Sequence, residues 1–263
     1  MKIAISGKGG VGKSTVAAAL ALTLANRGER VLALDADPDA NLAAAMGMPE
    51  AETPTPISRQ IALIEERTGV KIDSYGQVFK LNPEVSDVAE RFAVNWRGVD
   101  MLTLGAVPKG GGGCACPASA FIKSLITDLV LYKKQTLIMD MEAGVEHLGR
   151  ATAGGVGVML VVVEPGQRSV DCAKTVMRMC EEIGVKRVLY IGNKIAAQSD
   201  EDYLHTALKN ISQDGETADG RLIAAIPYTE ALRSADRPGV SVMDTADSVF
   251  IDKINTIIDI IYR

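Results

Sequence analysis

A single doubly wound domain, a mostly parallel β-sheet with helices on both faces, is the fold predicted by this sequence of 263 residues. Three observations carry that prediction. Short apolar runs alternate with helix-length amphipathic segments, the pattern of βα units laid side by side. The runs hold little internal polarity, as strands covered on both faces require. The length suits one α/β domain better than two, and it can bury a core without disulfide or metal staples.

In chain order, the first strand is Lys2–Ser6, which a glycine-rich stretch joins to a helix over Lys13–Arg27. Val31–Asp35 is the second strand. A helix over Ile57–Arg67 precedes the third strand, Val99–Leu104. Pro117–Tyr132 is the next helix, with Pro117 suited to its first turn, and Thr136–Asp140 the next strand. The strand Val156–Val163, the helix Arg168–Ile183 and the strand Arg187–Asn193 follow. A helix Glu201–Asn210, the strand Leu222–Ile226 and a helix Ala246–Tyr262 complete the set. Gly28, Gly69 and Gly184 each stand where a helix C-cap favours glycine. Two stretches break the rhythm. Met48–Pro56, with three prolines, reads as a linker or an edge insertion. Residues 108–117 carry four glycines, Gly110–Gly113, followed by Cys114-Ala115-Cys116.

Composition excludes several classes of function. The balance of 28 Lys+Arg against 33 Asp+Glu, a net of −5, gives no basic face for nucleic acid or anionic lipid. Aromatics at 4% are too few for a base-stacking surface. Four cysteines do not make a disulfide framework. Glycines and a lysine interrupt the first apolar run, so no signal peptide is expected. No stretch reaches the roughly 18 apolar residues of a membrane span. A soluble, cytoplasmic protein is the expectation.

Gly7-Lys8-Gly9-Gly10-Val11-Gly12-Lys13-Ser14 fits G-x-x-x-x-G-K-[ST] between a predicted strand and a predicted helix, the context this phosphate-binding motif needs. Glycines let the backbone curl so that successive N–H groups face one anion, and the helix dipole adds positive potential. Gly9, Gly10, Val11, Gly12, Lys13, Ser14 and Thr15 are therefore the expected nucleotide contacts. Lys13 would reach the β- and γ-phosphates and the Ser14 hydroxyl would ligate Mg²⁺.

The second lysine in K-G-G-V-G-K-S, Lys8, resembles the deviant phosphate loop of the MinD/ParA/nitrogenase-iron-protein class. The resemblance implies that Lys8 crosses a dimer interface to the partner's nucleotide, as an arginine finger does. It also implies that Asp35-Ala36-Asp37-Pro38-Asp39 is a first switch in which Asp37 orients the attacking water. Asp140-Met141-Glu142-Ala143-Gly144 would be the second switch, with Asp140 holding Mg²⁺ through water and Gly144 free to move when the γ-phosphate is present. Glu142 stands where such proteins usually have proline. Asn193 would pair with the adenine edge, its amide offering donor and acceptor side by side, and Pro227 belongs to the segment packed near the base. The guanine-reading N-K-x-D pattern is missing because Ala196 holds its last position, so ATP/ADP is favoured over GTP.

Cys114 and Cys116 are the departure from a generic ATPase. Two thiolates one residue apart can chelate a soft metal, but a closed four-coordinate site needs two more ligands. A two-fold dimer supplies them when the pairs face each other across the axis. A position near a helix N-terminus lowers thiol pKa values and improves them as ligands. Cys172 and Cys180 lie too far apart on one helix for joint chelation and read as buried structural thiols. His147 and His205 read as solvated or locally hydrogen-bonded.

The two-lysine loop, D-A-D-P-D, D-M-E-A-G-V-E-H, V-E-P-G, G-N-K, I-P-Y and the C-x-C-P together resemble the CooC-type accessory ATPases across nearly the whole chain. The resemblance implies a slow, switch-type ATPase that dimerises with ATP or metal. It would assist nickel insertion into the active-site cluster of carbon monoxide dehydrogenase. Ni²⁺ or Zn²⁺ would sit between Cys114 and Cys116 of two copies, and apo carbon monoxide dehydrogenase would be the client. A positioning or switch ATPase without a metal role, or a maturation factor for acetyl-CoA synthase, stays open. A nitrogenase-type iron protein would need a cysteine soon after Asp140, and none occurs. The last helix carries Phe250, Ile254, Ile257, Ile258 and Ile261 on one face with an acidic opposite face. That argues for core packing rather than membrane binding.

Overall fold

The computed structural model describes all residues except 72–77, 107–116, 146–147, 210, 212–220 and 235–238. In chain order the elements are β1 (Lys2–Ser6), α1 (Lys13–Asn26), β2 (Val31–Asp35), α2 (Leu42–Ala45), α3 (Ile61–Thr68), α4 (Val88–Phe92), β3 (Val94–Trp96) and β4 (Val99–Thr103). Then come α5 (Pro117–Leu131), β5 (Thr136–Asp140), α6 (Arg150–Ala153), β6 (Val158–Val163), α7 (Gln167–Ile183), β7 (Val188–Ile195) and α8 (Gln198–Lys209). The chain continues with β8 (Arg221–Pro227), α9 (Glu230–Ser234), α10 (Val242–Thr245) and α11 (Ser248–Ile261). Among the described residues eight strands form one sheet in the order β3-β4-β2-β5-β1-β6-β7-β8, parallel except for the β3–β4 pair. The predicted architecture is the observed one.

Two apolar layers sandwich the sheet. One packs α1, α10 and α11 against Ile3, Ile5, Ala33 and Leu160; the other packs α3, α5, α7 and α8 against Ala4, Leu34, Met139 and Val161. Alternate residues of β1 thus feed opposite cores, as period-two strands must. α1 is buried from Val16 to Leu24, which explains its nearly unbroken alanine and leucine run. α11 buries all five predicted apolar residues against α1 and β8. α1 leaves β1 on one face while α7 leaves β6 on the other. The two departures open a crevice at the carboxyl ends of these strands, where sheets of this type take ligands. Among the described residues no helix is long and apolar enough to cross a membrane.

Several element limits differ from the sequence reading, each for a local reason. The helix expected over Ile57–Arg67 is split: Ile57–Arg59 is a 3₁₀ turn, and Gln60 at ψ 62° separates it from α3. The Ser58 N–H is drawn off to the Leu104 carbonyl, 2.9 Å away. α8 begins three residues earlier than expected because the Asp200 carboxylate accepts the Ala196 and Ala197 N–H groups at 2.9 and 3.2 Å. α11 starts at Ser248, where Asp247 caps the Phe250 N–H at 2.8 Å. β3 was missed altogether. Its two-residue turn to β4 holds Arg97 at φ 50° and Gly98 at φ 83°, the left-handed pair that such hairpins need. Arg97 tolerates this because its guanidinium makes two bonds to Asp244, at 2.7 and 2.9 Å.

Candidate active site

β1 gives way at Ser6 to the turn Gly7–Gly12, which leads into α1. A Cβ at Gly7 (φ +148°) would lie 2.4 Å from the Val162 carbonyl oxygen, and one at Gly12 (φ +97°) would lie 2.3 Å from Asn193 Nδ2. Only glycine satisfies both the backbone angle and the space at Gly12. Two residues at the end of β7 brace the turn. Asn193 donates its amide to the Val11 carbonyl at 2.8 Å, and Lys194 donates its ammonium to the Gly10 carbonyl at 2.6 Å. Lys194 does so from a left-handed backbone, φ 58°.

A cavity of about 620 Å³ lies over the turn, lined on the loop side by Gly9, Gly10, Gly12, Lys13, Ser14 and Thr15. Asp37, Asn193 and Pro227 border it from the ends of β2, β7 and β8. Lys8, Val11 and Asp140 stand outside that lining: Val11 is buried under the loop and Asp140 behind it. The fold thus brings most of the expected nucleotide contacts together around one cavity from four strand ends, with Asp140 at a fifth lying behind it. The expectation that Asn193 reads a base meets a qualification, since one of its amide hydrogens is already given to the loop.

Behind the cavity sits a buried group of charges. Lys13 Nζ lies 3.4 Å from Asp37 Oδ2, both side chains being about one-tenth exposed or less. Asp35, opposite Asp140 in the β2–β5 register, accepts the N–H groups of Asp37 and Leu42 at 3.3 and 3.0 Å. It thereby ties both ends of the loop that carries Asp37. Burial pushes the Asp35 carboxyl up to about 7, with the Asp140 charge adding to the shift. Burial pushes Asp140 up to about 6, against the pull of the nearby Ser14 hydroxyl and Lys13 ammonium. Among the described residues no side chain closes a hydrogen bond of good geometry on either Asp140 oxygen, the Ser14 hydroxyl being the nearby polar group. A fully buried carboxylate with two unpartnered oxygens next to a serine hydroxyl is a donor set that fits Mg²⁺, which takes one or two protein oxygens and keeps its waters.

Lys8 points its ammonium at Glu164, 3.4 Å away, and the other Glu164 oxygen is 3.5 Å from Lys194. Neither Glu164 nor Lys194 was assigned a role from sequence, although both stand inside matched motifs. Nothing local signals their approach, because 156 residues separate Lys8 from Glu164. Cys114 and Cys116, Glu146 and His147 lie outside the described residues. Cys180 is buried as expected, and burial pushes its thiol up to about 12. Cys172 is half-buried rather than buried, with its thiol pKa also raised. His205 is exposed, 3.8 Å from Glu201 on the same helix.

The CobQ/CobB/MinD/ParA nucleotide binding domain matches residues 2–242. The carbon monoxide dehydrogenase accessory protein CooC of Rhodospirillum rubrum is 39% identical over 246 residues, covering 93% of this chain and 90% of its own. An uncharacterized ATP-binding protein of Methanocaldococcus jannaschii is 36% identical over 97% of this chain and 96% of its own. Among solved structures, a ParA family ATPase from Chlorobium tepidum superposes with a TM-score of 0.68 at 18% identity. It covers 100% of this chain and 98% of that one, a likeness of fold.

Proposed function

The chain belongs to the CobQ/CobB/MinD/ParA nucleotide-binding family, on its CooC-type branch, and we propose that it is a cytoplasmic ATPase that helps insert nickel into carbon monoxide dehydrogenase. The observation that carries the ATPase half is the buried group Lys13, Asp37 and unpartnered Asp140 beside a cavity of nucleotide size. The maturation half leans on the 39% identity to CooC.

In this reading Lys13 binds the β- and γ-phosphates, and the loop N–H groups complete the cradle. Ser14 and Asp140 would hold Mg²⁺, which supplies charge neutralisation at the phosphates when bound. Asp37, released from Lys13 by the incoming anion, aligns the water. Lys8 leaves Glu164 and reaches the nucleotide of a second copy, so the site is complete only in a homodimer. Asn193 and Pro227 flank the adenine. The cargo, Ni²⁺ or Zn²⁺, is held by Cys114 and Cys116 of both copies, and hydrolysis lets the pair open towards the apo-enzyme client. Linkage requires ATP and metal each to strengthen dimerisation if both favour the dimer. Nucleic acid and membrane have no part in it.

The test is metal stoichiometry read together with native mass. Reduced, metal-free protein is titrated with Ni²⁺ with and without ADP or ATP. One Ni²⁺ per two chains, appearing with the dimer, is the expected result. Lys13→Ala should abolish turnover and keep the metal; Cys114→Ser should lose the metal and keep nucleotide. A monomer that hydrolyses ATP and binds no metal would reduce the protein to a switch ATPase without a metal role.

A further inference from the structure

Ser6 is the last residue of β1 and is wholly buried, yet the sheet makes no use of its hydroxyl. The strand ladder is closed by backbone groups: the Met141 N–H reaches the Ile5 carbonyl at 2.9 Å. The hydroxyl turns to the loop that follows β5. Its oxygen lies 2.9 Å from the Glu142 carbonyl and 3.2 Å from the Gly144 carbonyl, and it accepts the Gly144 N–H at 3.2 Å. The same N–H is 2.7 Å from the Glu142 carbonyl, so residues 142–144 form a tight three-residue turn wrapped round one oxygen. A buried hydroxyl is tolerated when it is bonded in this way.

We propose that Ser6 is a positioning residue that holds Gly144 against the end of β1 and gives up the Gly144 N–H when a terminal phosphate arrives. This rests on the ATPase reading above and names what resets its second switch. An N–H shared between two neutral acceptors has a better partner in an anionic phosphate oxygen, because charge-assisted bonds are about twice as strong. The hydroxyl sits one residue before Gly7, at the root of the phosphate loop. It thus links the phosphate loop to the loop after β5 that the ATPase reading takes as its second switch. ADP, lacking that phosphate, leaves the Ser6 contacts in place.

The experiment measures affinity for ADP and for a nonhydrolysable ATP analogue, with Mg²⁺, in wild type, Ser6→Ala and Ser6→Cys. Cysteine fills the space with a somewhat larger atom but bonds weakly, and alanine leaves it open, so the two together separate the hydroxyl from the space it fills. Both variants are expected to raise the preference for the ATP analogue over ADP by about three- to tenfold, the scale of one lost neutral hydrogen bond. In nucleotide-free protein the Gly144 amide should exchange faster by a similar factor. A preference that is unchanged or reduced, or unaltered exchange at Gly144, overturns the proposal and leaves the ATPase reading intact. Wild-type protein that binds neither nucleotide overturns both.

Discussion

Lys13 and Asp37 form an ion pair 3.4 Å long in a nearly closed setting, so the loop lysine and the switch carboxylate neutralise each other. A buried cation left alone is costly, and the pair removes that cost. Phosphate binding then exchanges one anion for another at Lys13 and frees Asp37 to work on water. Asp37→Asn should bind ADP about tenfold more tightly, the scale of one charged bond no longer displaced. It should also lose hydrolysis by at least about 10²-fold. Calorimetric titration with ADP and steady-state phosphate release check the two halves; weaker ADP binding would contradict the exchange.

The paired carboxyls at the ends of β2 and β5 make stability depend on pH. Asp35 and Asp140, at about 7 and about 6, bind their protons more tightly folded than unfolded, where 3.8 applies. Their contribution is complete below about 3.8 and is lost as pH rises through about 6 to 7. Asp87 acts in the opposite sense: Arg67 and Arg91 hold it at about 2, so its contribution is lost only in strong acid. Thermal unfolding of nucleotide-free protein should therefore show Tm falling between pH 4 and 7. Asp35→Asn should flatten that fall. A Tm that climbs steadily over the same range in wild type would show the charges to be compensated elsewhere.

What could be read from the sequence was whatever rests on local chemistry. The strand Thr136–Asp140, the Pro117 start of α5 and the glycine caps follow from residues within a few positions of each other. So does the crowding of the phosphate loop by glycine. β3 was not legible because Arg97 in a left-handed turn has no intrinsic preference for it; Asp244, far along the chain, supplies the compensation. The Ser6, Glu164 and Lys194 contacts are of the same kind. They join strand ends that only the strand order brings side by side.

Within the phosphate loop two glycines should respond very differently to alanine. Among the described residues Gly9 has no neighbour within 4 Å of an added Cβ, whereas Gly12 combines φ +97° with an Asn193 nitrogen at 2.3 Å. Gly9→Ala is expected to change stability by less than about 0.5 kcal/mol. Gly12→Ala should cost about 1–3 kcal/mol of strain and push Asn193 off the Val11 carbonyl. Denaturant unfolding reads the first difference, and ADP affinity, lost in Gly12→Ala alone, reads the second. Equal responses would mean that the loop relaxes round the added methyl.

Lys8 gives the sharpest test of a shared site. On its own chain it is paired to Glu164, 3.4 Å away and about one-third exposed, a weak contact that a stronger anion can replace. If that anion belongs to a second copy, Lys8→Ala destroys its partner's site and not its own. Asp37→Asn destroys only its own. Mixed in equal amounts, the two inactive variants form mixed dimers in about half of the cases, each with one intact site. Phosphate release should therefore return to about a quarter of the wild-type rate, half the dimers times half the sites. Were Lys8 to serve its own nucleotide, each chain of every pairing would still lack one essential group, and the mixture would stay as inactive as its parts.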